Sequence, residues 1–288
     1  MSRSFLFVPA DSERKLAKAR DAGADALIID LEDSVAVAAR PAARENAAAV
    51  LGEGSAAELW VRINPLDSKD ALEDLAAIMP AAPFGIVLPK PDGAWDANQL
   101  AKRLDRLERD NDIGPGFTKI LPIATERPGA LFRLHEYAEA TQRLAGLTWG
   151  AEDLGAAVGA MATRDAAGRW LPPYELARSL CLMAASAAAV PAIDTVFTDY
   201  RDTDGLAEYA ALARRDGFEG MLAIHPDQVP VINDAFRPSA EEVERARRIV
   251  DAFDASPGAG TLGVDGEMLD RPHLLQAERI LARAARYQ

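Results

Sequence analysis

The sequence predicts an α/β protein, a (β/α)8 TIM barrel with a C-terminal helical extension. Three observations carry that prediction. Eight short apolar runs alternate with helical segments up to about residue 236. Each run is continuous rather than alternating with polar residues, as expected of strands buried on both faces of a parallel sheet. The chain has 288 residues, enough for the roughly 250 that such a barrel needs. An open doubly wound sheet is the competitor, but no glycine-rich phosphate fingerprint follows the first strand.

Residues 4–8, Ser-Phe-Leu-Phe-Val, form the first strand, which Pro9 closes. Asp11 and Ser12 can cap a helix from Glu13 to Ala22, since their side-chain oxygens accept from unpaired first-turn N–H groups. Gly23 ends that helix, and a second strand, Ala26–Leu31, runs into Glu32 and Asp33. A helix over 38–51 leads to the third strand, Leu59–Ile63, and a helix over 71–79 to the fourth, Gly85–Leu88, which ends at Pro89-Lys90. A charged amphipathic helix spans 95–109, and the fifth strand, Ile120–Thr125, ends in Glu126. A helix is expected over 130–143. The sixth strand then runs from Leu147 into Gly150, Glu152 and Asp153, with a helix over 154–161 behind it.

The longest gap follows. Its segment 162–170 is polar and turn-forming, and reads as a loop insertion near the site. A helix over 174–189, a seventh strand Thr195–Asp199, a helix over 206–216 and an eighth strand Met221–Ile224 complete the series. A helix over 230–236 closes the barrel domain, residues 1–236. The remainder, 237–288, has a helix over 240–253, a Gly/Pro-rich turn region over 256–266 and a last helix over 274–286. Elements beyond barrel closure suit an arm that makes an oligomer contact and completes a site.

Composition narrows the function classes. A formal charge of −13 argues against nucleic acid or an anionic membrane surface as the main partner, because phosphate needs compensating cations. No apolar run approaches the roughly 18 residues of a membrane helix, and the N-terminus lacks the pattern of a signal peptide. The expectation is a soluble, cytoplasmic protein. The single cysteine, Cys181, lies in an apolar helical run and reads as a buried thiol.

Polar residues collect where strands end: Asp30, Glu32 and Asp33; Arg62 and Asn64; Lys90; Glu126; Asp153; His225. In barrels that rim carries the active site. Glu126 and Asp153 end adjacent strands and are expected to be neighbours. Two close carboxylates repel unless a cation joins them, and Mg2+ would keep both ionised. Arg62 is expected to meet the acidic cluster, held by Glu32 or Asp33 and oriented for a ligand oxygen. The helix behind Asp153 offers N–H groups to a substrate carboxylate. His225 is either a base or a hydrogen-bonded support, whereas His135 and His273 read as surface residues.

Several motifs follow one another along the chain: 5–9 (Phe-Leu-Phe-Val-Pro), 29–35 (Ile-Asp-Leu-Glu-Asp-Ser-Val), 61–65 (Val-Arg-Ile-Asn-Pro) and 88–90 (Leu-Pro-Lys). They continue with 124–126 (Ala-Thr-Glu), 150–154 (Gly-Ala-Glu-Asp-Leu), 224–229 (Ile-His-Pro-Asp-Gln-Val) and 266–270 (Gly-Glu-Met-Leu-Asp). In this order, from residue 3 to about 285, they resemble the citrate lyase β-subunit-like branch of the HpcH/HpaI aldolase superfamily, the CoA-ester lyases. Each motif alone is weak; the ordered set is specific.

The resemblance implies a TIM barrel holding Mg2+ through Glu126 and Asp153, with a 2-oxo or 2-hydroxy acid chelating the metal. It sets the acid's carboxylate against backbone amides around Asp153, Leu154 included. It makes Arg62, beside Glu32, the stabiliser of a thioester enolate. It gives Asp270 the role of acid or base in a neighbouring subunit of a homotrimer or hexamer, and Arg14 and Lys18 contacts to CoA phosphates. The implied reaction is cleavage or formation of a 3-hydroxyacyl-CoA such as malyl-CoA or citramalyl-CoA, with acetyl-CoA and a 2-oxo acid as the other side. Many citrate lyase β subunits carry Glu-Thr where this chain has Thr125-Glu126, which points to the freestanding branch. Two alternatives stay open: a class II aldolase acting on free 4-hydroxy-2-oxo acids, and a non-catalytic protein that binds an oxo acid or CoA ester. A thioesterase variant would admit water after cleavage.

Overall fold

In the computed structural model of the chain, which describes residues 2–287, the apolar runs form β1 (Ser4–Pro9), β2 (Ala26–Asp30), β3 (Glu58–Arg62) and β4 (Gly85–Leu88). They continue as β5 (Lys119–Pro122), β6 (Leu147–Thr148), β7 (Ala192–Asp194) and β8 (Gly220–Ala223). All eight pair in parallel, in the order β5-β4-β3-β2-β1-β8-β7-β6. Parallel bridges from Ile120 to Leu144 and from Ile123 to Thr148 close the ring between β5 and β6, and the Ala124 N–H donates to Thr148 O at 2.7 Å. Closure leaves no sheet edge, so each strand can be short and mostly apolar.

The helices of this unit are α1 (Glu13–Arg20), α2 (Arg40–Glu53), α3 (Asp70–Ile78), α4 (Ala94–Asp110), α5 (Ala151–Val158), α6 (Pro172–Ala187), α7 (Thr203–Asp216) and α8 (Gln228–Ala235). Ser12 caps α1, its hydroxyl accepting from Lys15 N. The barrel interior is one cluster fed by nearly every strand: Phe5, Ala26, Ile28, Trp60, Val87, Leu121, Ile123, Ile193 and Leu222. Side chains alternate faces along a strand. Asp30 therefore follows Ile28, and Arg62 follows Trp60, on the inner face at the carboxyl end. The β2–β3 register places Asp30 directly opposite Arg62.

Three elements differ from the sequence reading. The seventh strand is Ala192–Asp194 rather than Thr195–Asp199. A fully buried carboxylate interrupts its apolar run: Asp194 pairs with Arg178 at 2.8 Å and accepts from Trp149 Nε1 at 2.7 Å and from the Tyr209 hydroxyl at 3.1 Å. Residues 128–139 form 3-10 turns rather than a regular helix over 130–143. Arg143 leaves that segment to lie buried against α4, where it donates to both carboxylate oxygens of Glu108 at 2.6 Å. The sixth βα junction is also shifted, since α5 starts at Ala151 instead of Leu154.

The chain divides between Ala235 and Phe236 into two compact units. The second contains α9 (Ala240–Asp254), a hairpin of β9 (Thr261–Val264) and β10 (Glu267–Asp270), and α10 (Arg271–Arg286). The hairpin corrects the expected turn region: Asp265 and Gly266, both at positive φ, make its two-residue turn. Ser239 and Glu242 form a capping box at the start of α9. Ala246, Ile249, Phe253, Leu269, Leu274 and Ala277 make this unit's own core. Among the described residues no helix is long and apolar enough to cross a membrane.

One glycine shows how tightly the barrel interior is filled. A Cβ on Gly85 would fall 2.3 Å from the Trp60 ring, which also stands edge-on to Phe5 and Phe84. Gly85→Ala is expected to cost about 2 kcal/mol through overpacking, read as a lowered urea midpoint. Combining it with Trp60→Leu should recover part of that loss; strictly additive losses would contradict the contact.

Candidate active site

Arg62 ends β3 on the inner face and is 12% exposed. Asp30 grips it in a two-pronged pair, Nε to Oδ1 at 2.6 Å and Nη2 to Oδ2 at 2.7 Å. The same Asp30 oxygens accept from the backbone N–H groups of Glu32 (3.0 Å) and Ser34 (3.1 Å), folding the chain back just beyond β2. That turn delivers Glu32 Oε2 to 3.1 Å from Arg62 Nη1, and Asp33 to 3.6 Å. The guanidinium also lies 4.7 Å from the centre of the Phe7 ring. Burial pushes the Asp30 carboxyl upward, but its bonds and charge attraction to Arg62 outweigh this and hold it below the usual carboxylate range.

Lys90, at the end of β4, joins this group to the metal-binding candidates. Its backbone sits in the left-handed region, φ 50°. In that conformation its N–H donates to Glu126 Oε2 at 2.5 Å, and its ammonium meets Glu32 (2.5 Å), Asp33 (3.1 Å) and Asp153 (3.3 Å). Glu126 is 4% exposed. A Cβ on Gly150 would lie 2.8 Å from Glu126 Cγ, so only glycine there leaves the Glu126 side chain its place. Burial pushes Glu126 to about 8, helped by the nearby charges of Asp153 and Glu32 and opposed by the Lys90 N–H. Burial likewise pushes Glu32 to about 7, against the pull of Arg62 and Lys90.

Asp153 does not end a strand. Gly150 is the N-cap of α5, and Asp153 lies in the helix's first turn with its side chain 36% exposed. The unpaired N–H groups at this helix start are therefore those before Leu154. By the i to i−4 pattern the Leu154 amide is used within the helix, and its side chain is 2% exposed. The amide cradle expected at Leu154 thus shifts to 151–153.

The structure brings Glu32, Arg62, Glu126 and Asp153 together, with Lys90 touching three of the four. Arg14 and Lys18 are exposed and one turn apart on α1, in the same unit, and neither touches these groups. Asp270 lies in the second unit, where it ends β10 and caps α10; its Oδ1 is 2.5 Å from His273 Nδ1. His225 is a support rather than a free base: it stacks on Tyr200 at 4.8 Å, and its Nδ1 accepts from Asp227 N. Cys181 is buried and burial pushes its thiol up, which removes it as a nucleophile.

The sequence reading missed two partners. It placed Asp30 and Lys90 on the rim without a role, and it chose Glu32 or Asp33 as the holder of Arg62. Glu32 and Asp33 do pair with Arg62, but the two-pronged grip is Asp30's, and its inward period-two position opposite Arg62 in register was the signal for it. Among the described residues no three His, Cys, Asp or Glu side chains form a closed metal cage. What the rim offers is two carboxylates, Glu126 and Asp153, that both contact Lys90.

The sequence profile of the HpcH/HpaI aldolase/citrate lyase family matches residues 3–226. The chain belongs to this family. A second profile, the C–C bond lyase of the TIM-barrel fold, matches residues 176–288. The chain is 35% identical to citrate lyase subunit beta of Escherichia coli K12, over 98% of this chain and 93% of that protein. It is 31% identical to the (3S)-malyl-CoA thioesterase of Cereibacter sphaeroides, over 98% and 94%. Among solved structures, the CitE protein of Mycobacterium tuberculosis in complex with magnesium, acetoacetate and coenzyme A superposes with a TM-score of 0.80. Identity is 36%, with 98% of each chain covered. Family membership makes this chain a carbon–carbon lyase by class.

Asp30→Asn removes the charge that pairs Arg62 and is expected to destabilise the protein by about 3 kcal/mol near neutral pH, measured by urea unfolding. Because the folded Asp30 carboxyl is held low, its contribution is complete above about pH 4, the unfolded carboxylate value. It is lost as pH falls through the lower folded value, so the gap between wild type and variant should close in acid. A gap that widens in acid would contradict the pairing.

Proposed function

We propose that the chain is a Mg2+-dependent carbon–carbon lyase that cleaves or forms a 3-hydroxyacyl-CoA such as malyl-CoA or citramalyl-CoA, with acetyl-CoA and a 2-oxo acid on the other side. The observation that carries this reading is the doubly held Arg62 beside the Glu126–Asp153 pair. One rim presents both a fixed cation for an enolate oxygen and hard oxygen ligands for a divalent metal.

The donor set fits magnesium. Glu126 and Asp153 are oxygen ligands, and Glu126 Oε1 lies toward the space that Gly150 keeps open, accepting no hydrogen bond from the described residues. When bound there, Mg2+ would polarise the oxo-acid carbonyl and keep both carboxylates ionised. The N–H groups at the start of α5, residues 151–153, would receive the acid's carboxylate. Arg62 has five N–H donors, of which Asp30 takes two. Those left over are the ones that can face the thioester oxygen.

In cleavage the substrate hydroxyl gives its proton to solvent water, the bond between the hydroxyl-bearing carbon and the thioester's α-carbon breaks, and its electron pair becomes the enolate. Arg62 stabilises that enolate oxygen, and Glu32 holds Arg62 and Lys90 in place without shifting during the reaction. Asp270 of a second copy protonates the enolate carbon, which makes the working form a homo-oligomer, a trimer or hexamer. Arg14 and Lys18 pair with CoA phosphates. A CoA-ester substrate assigns the enzyme to the cytoplasm. The similarity to a malyl-CoA thioesterase favours a second reading, in which hydrolysis to the free acid follows or replaces cleavage.

Product analysis separates these outcomes. With malyl-, citramalyl- and citryl-CoA each offered with Mg2+, acetyl-CoA plus a 2-oxo acid should accumulate and chelation should abolish it. Asp270→Asn should lower the rate by about 10²–10⁴-fold. Malate and free CoA instead would establish the thioesterase. Cleavage confined to free 4-hydroxy-2-oxo acids would replace the CoA lyase with an aldolase, and ligand binding without turnover would leave a non-catalytic binder.

Metal binding should also depend on pH. A carboxyl pushed to about 8 must release its proton to ligate a metal, so apparent Mg2+ affinity should rise with pH up to about 8, by as much as tenfold per unit, and then level off. A dissociation constant flat from pH 6 to 9 would contradict a Glu126 ligand that is protonated before the metal binds.

A further inference from the structure

The rim around Arg62 is short of positive charge. Two cations, Arg62 and Lys90, face five carboxylates, Asp30, Glu32, Asp33, Glu126 and Asp153. Arg62 cannot move to serve the far side, because Asp30 fixes it on two prongs. Lys90 carries its charge on a flexible stem, and its ammonium spans Glu32, Asp33 and Asp153 at once. A compact ammonium can sit among several carboxylates much as a metal ion does, but binds each less tightly than a divalent cation.

The two ends of Lys90 do separate jobs. Its backbone N–H, fixed by the positive φ, orients Glu126 and is independent of the side chain. Its ammonium reaches Asp153 at 3.3 Å, the longest of its three ionic contacts, whereas Glu32 lies at 2.5 Å. The weakest contact is thus the one made to a metal-binding candidate.

We propose that Lys90 is the resident counter-cation of this rim, a positioning residue that holds Asp153 in the metal-free protein and yields it when Mg2+ binds. Glu32 and Asp33 keep the ammonium near the site, while Glu126 stays oriented by the Lys90 N–H throughout. Mg2+ affinity is then set by competition with this side chain. This rests on Glu126 and Asp153 being the metal ligands.

Calorimetric titration of Mg2+ alone, paired with thermal melts, tests it. Lys90→Met keeps the backbone N–H but removes the competitor and one positive charge. It should bind Mg2+ about tenfold more tightly than wild type. Its metal-free form should melt earlier than the wild type, and saturating Mg2+ should restore most of the difference. Lys90→Asn, neutral, short and tolerant of a left-handed backbone, should behave alike and serves if the methionine variant folds poorly. Mg2+ affinity unchanged or weakened in both variants would overturn the proposal, and Lys90 would be a plain support of the site. Asp153→Asn separates the two levels: loss of Mg2+ binding there upholds the ligand assignment, while binding as in wild type overturns that assignment and the proposal with it.

Discussion

The Asp30–Arg62 pair is the constraint on which the rim depends. It joins β2 to β3 across one register position, on the inner face and almost out of contact with water. At that depth an unpartnered guanidinium or carboxylate would cost several kcal/mol, so each residue demands the other. The pair also shapes what lies beyond it. The same two Asp30 oxygens that grip Arg62 also accept the Glu32 and Ser34 amides, and the resulting turn carries Glu32 and Asp33 over the barrel mouth. From there Glu32 reaches Lys90, and Lys90 reaches Glu126 and Asp153. Removing Asp30 would loosen Arg62 directly, together with the turn that carries Glu32 and Asp33.

This chain of dependence explains a division of labour common to barrels. The strands supply rigid stems, and the first residues after them supply chemistry. Here every stem is an apolar interior residue: Ile28 below Asp30, Trp60 below Arg62, Ile123 below the Thr125-Glu126 turn. Glycine marks where the backbone must give way, at Gly85 to the Trp60 ring and at Gly150 to Glu126. Lys90, at the mouth with a left-handed backbone, makes bonds through both its main chain and its side chain.

The barrel and the identity of its rim were legible in the sequence because buried parallel strands leave a simple mark, a short apolar run ending in polar residues. Where a strand carries a buried charge the mark fails, and Asp194 displaced the seventh strand in exactly this way by satisfying itself with Arg178, Trp149 and Tyr209. The start of α5 was misplaced because Glu152 and Asp153 read as the carboxyl end of the sixth strand, although acidic residues are favoured in a helix's first turn. The C-terminal hairpin was hidden by half-exposed strands, yet Asp265-Gly266 was a readable turn signal. Partner choice was the least legible feature. Glu32, Asp33 and Asp30 are chemically alike and closely spaced, and only strand alternation and register separate the one that grips Arg62.

The proposed chemistry turns on Arg62, held by Asp30 and Glu32, stabilising a thioester enolate beside the oxo-acid site. Exchange of the acetyl-CoA methyl protons for deuterium, followed by NMR with Mg2+ and a non-reacting 2-oxo acid analogue present, reports enolate formation without requiring the carbon–carbon step. The account predicts exchange in the wild-type enzyme and its loss in Arg62→Lys, a variant that keeps the charge but not the fork, with Mg2+ affinity little changed. Undiminished exchange in Arg62→Lys would contradict it.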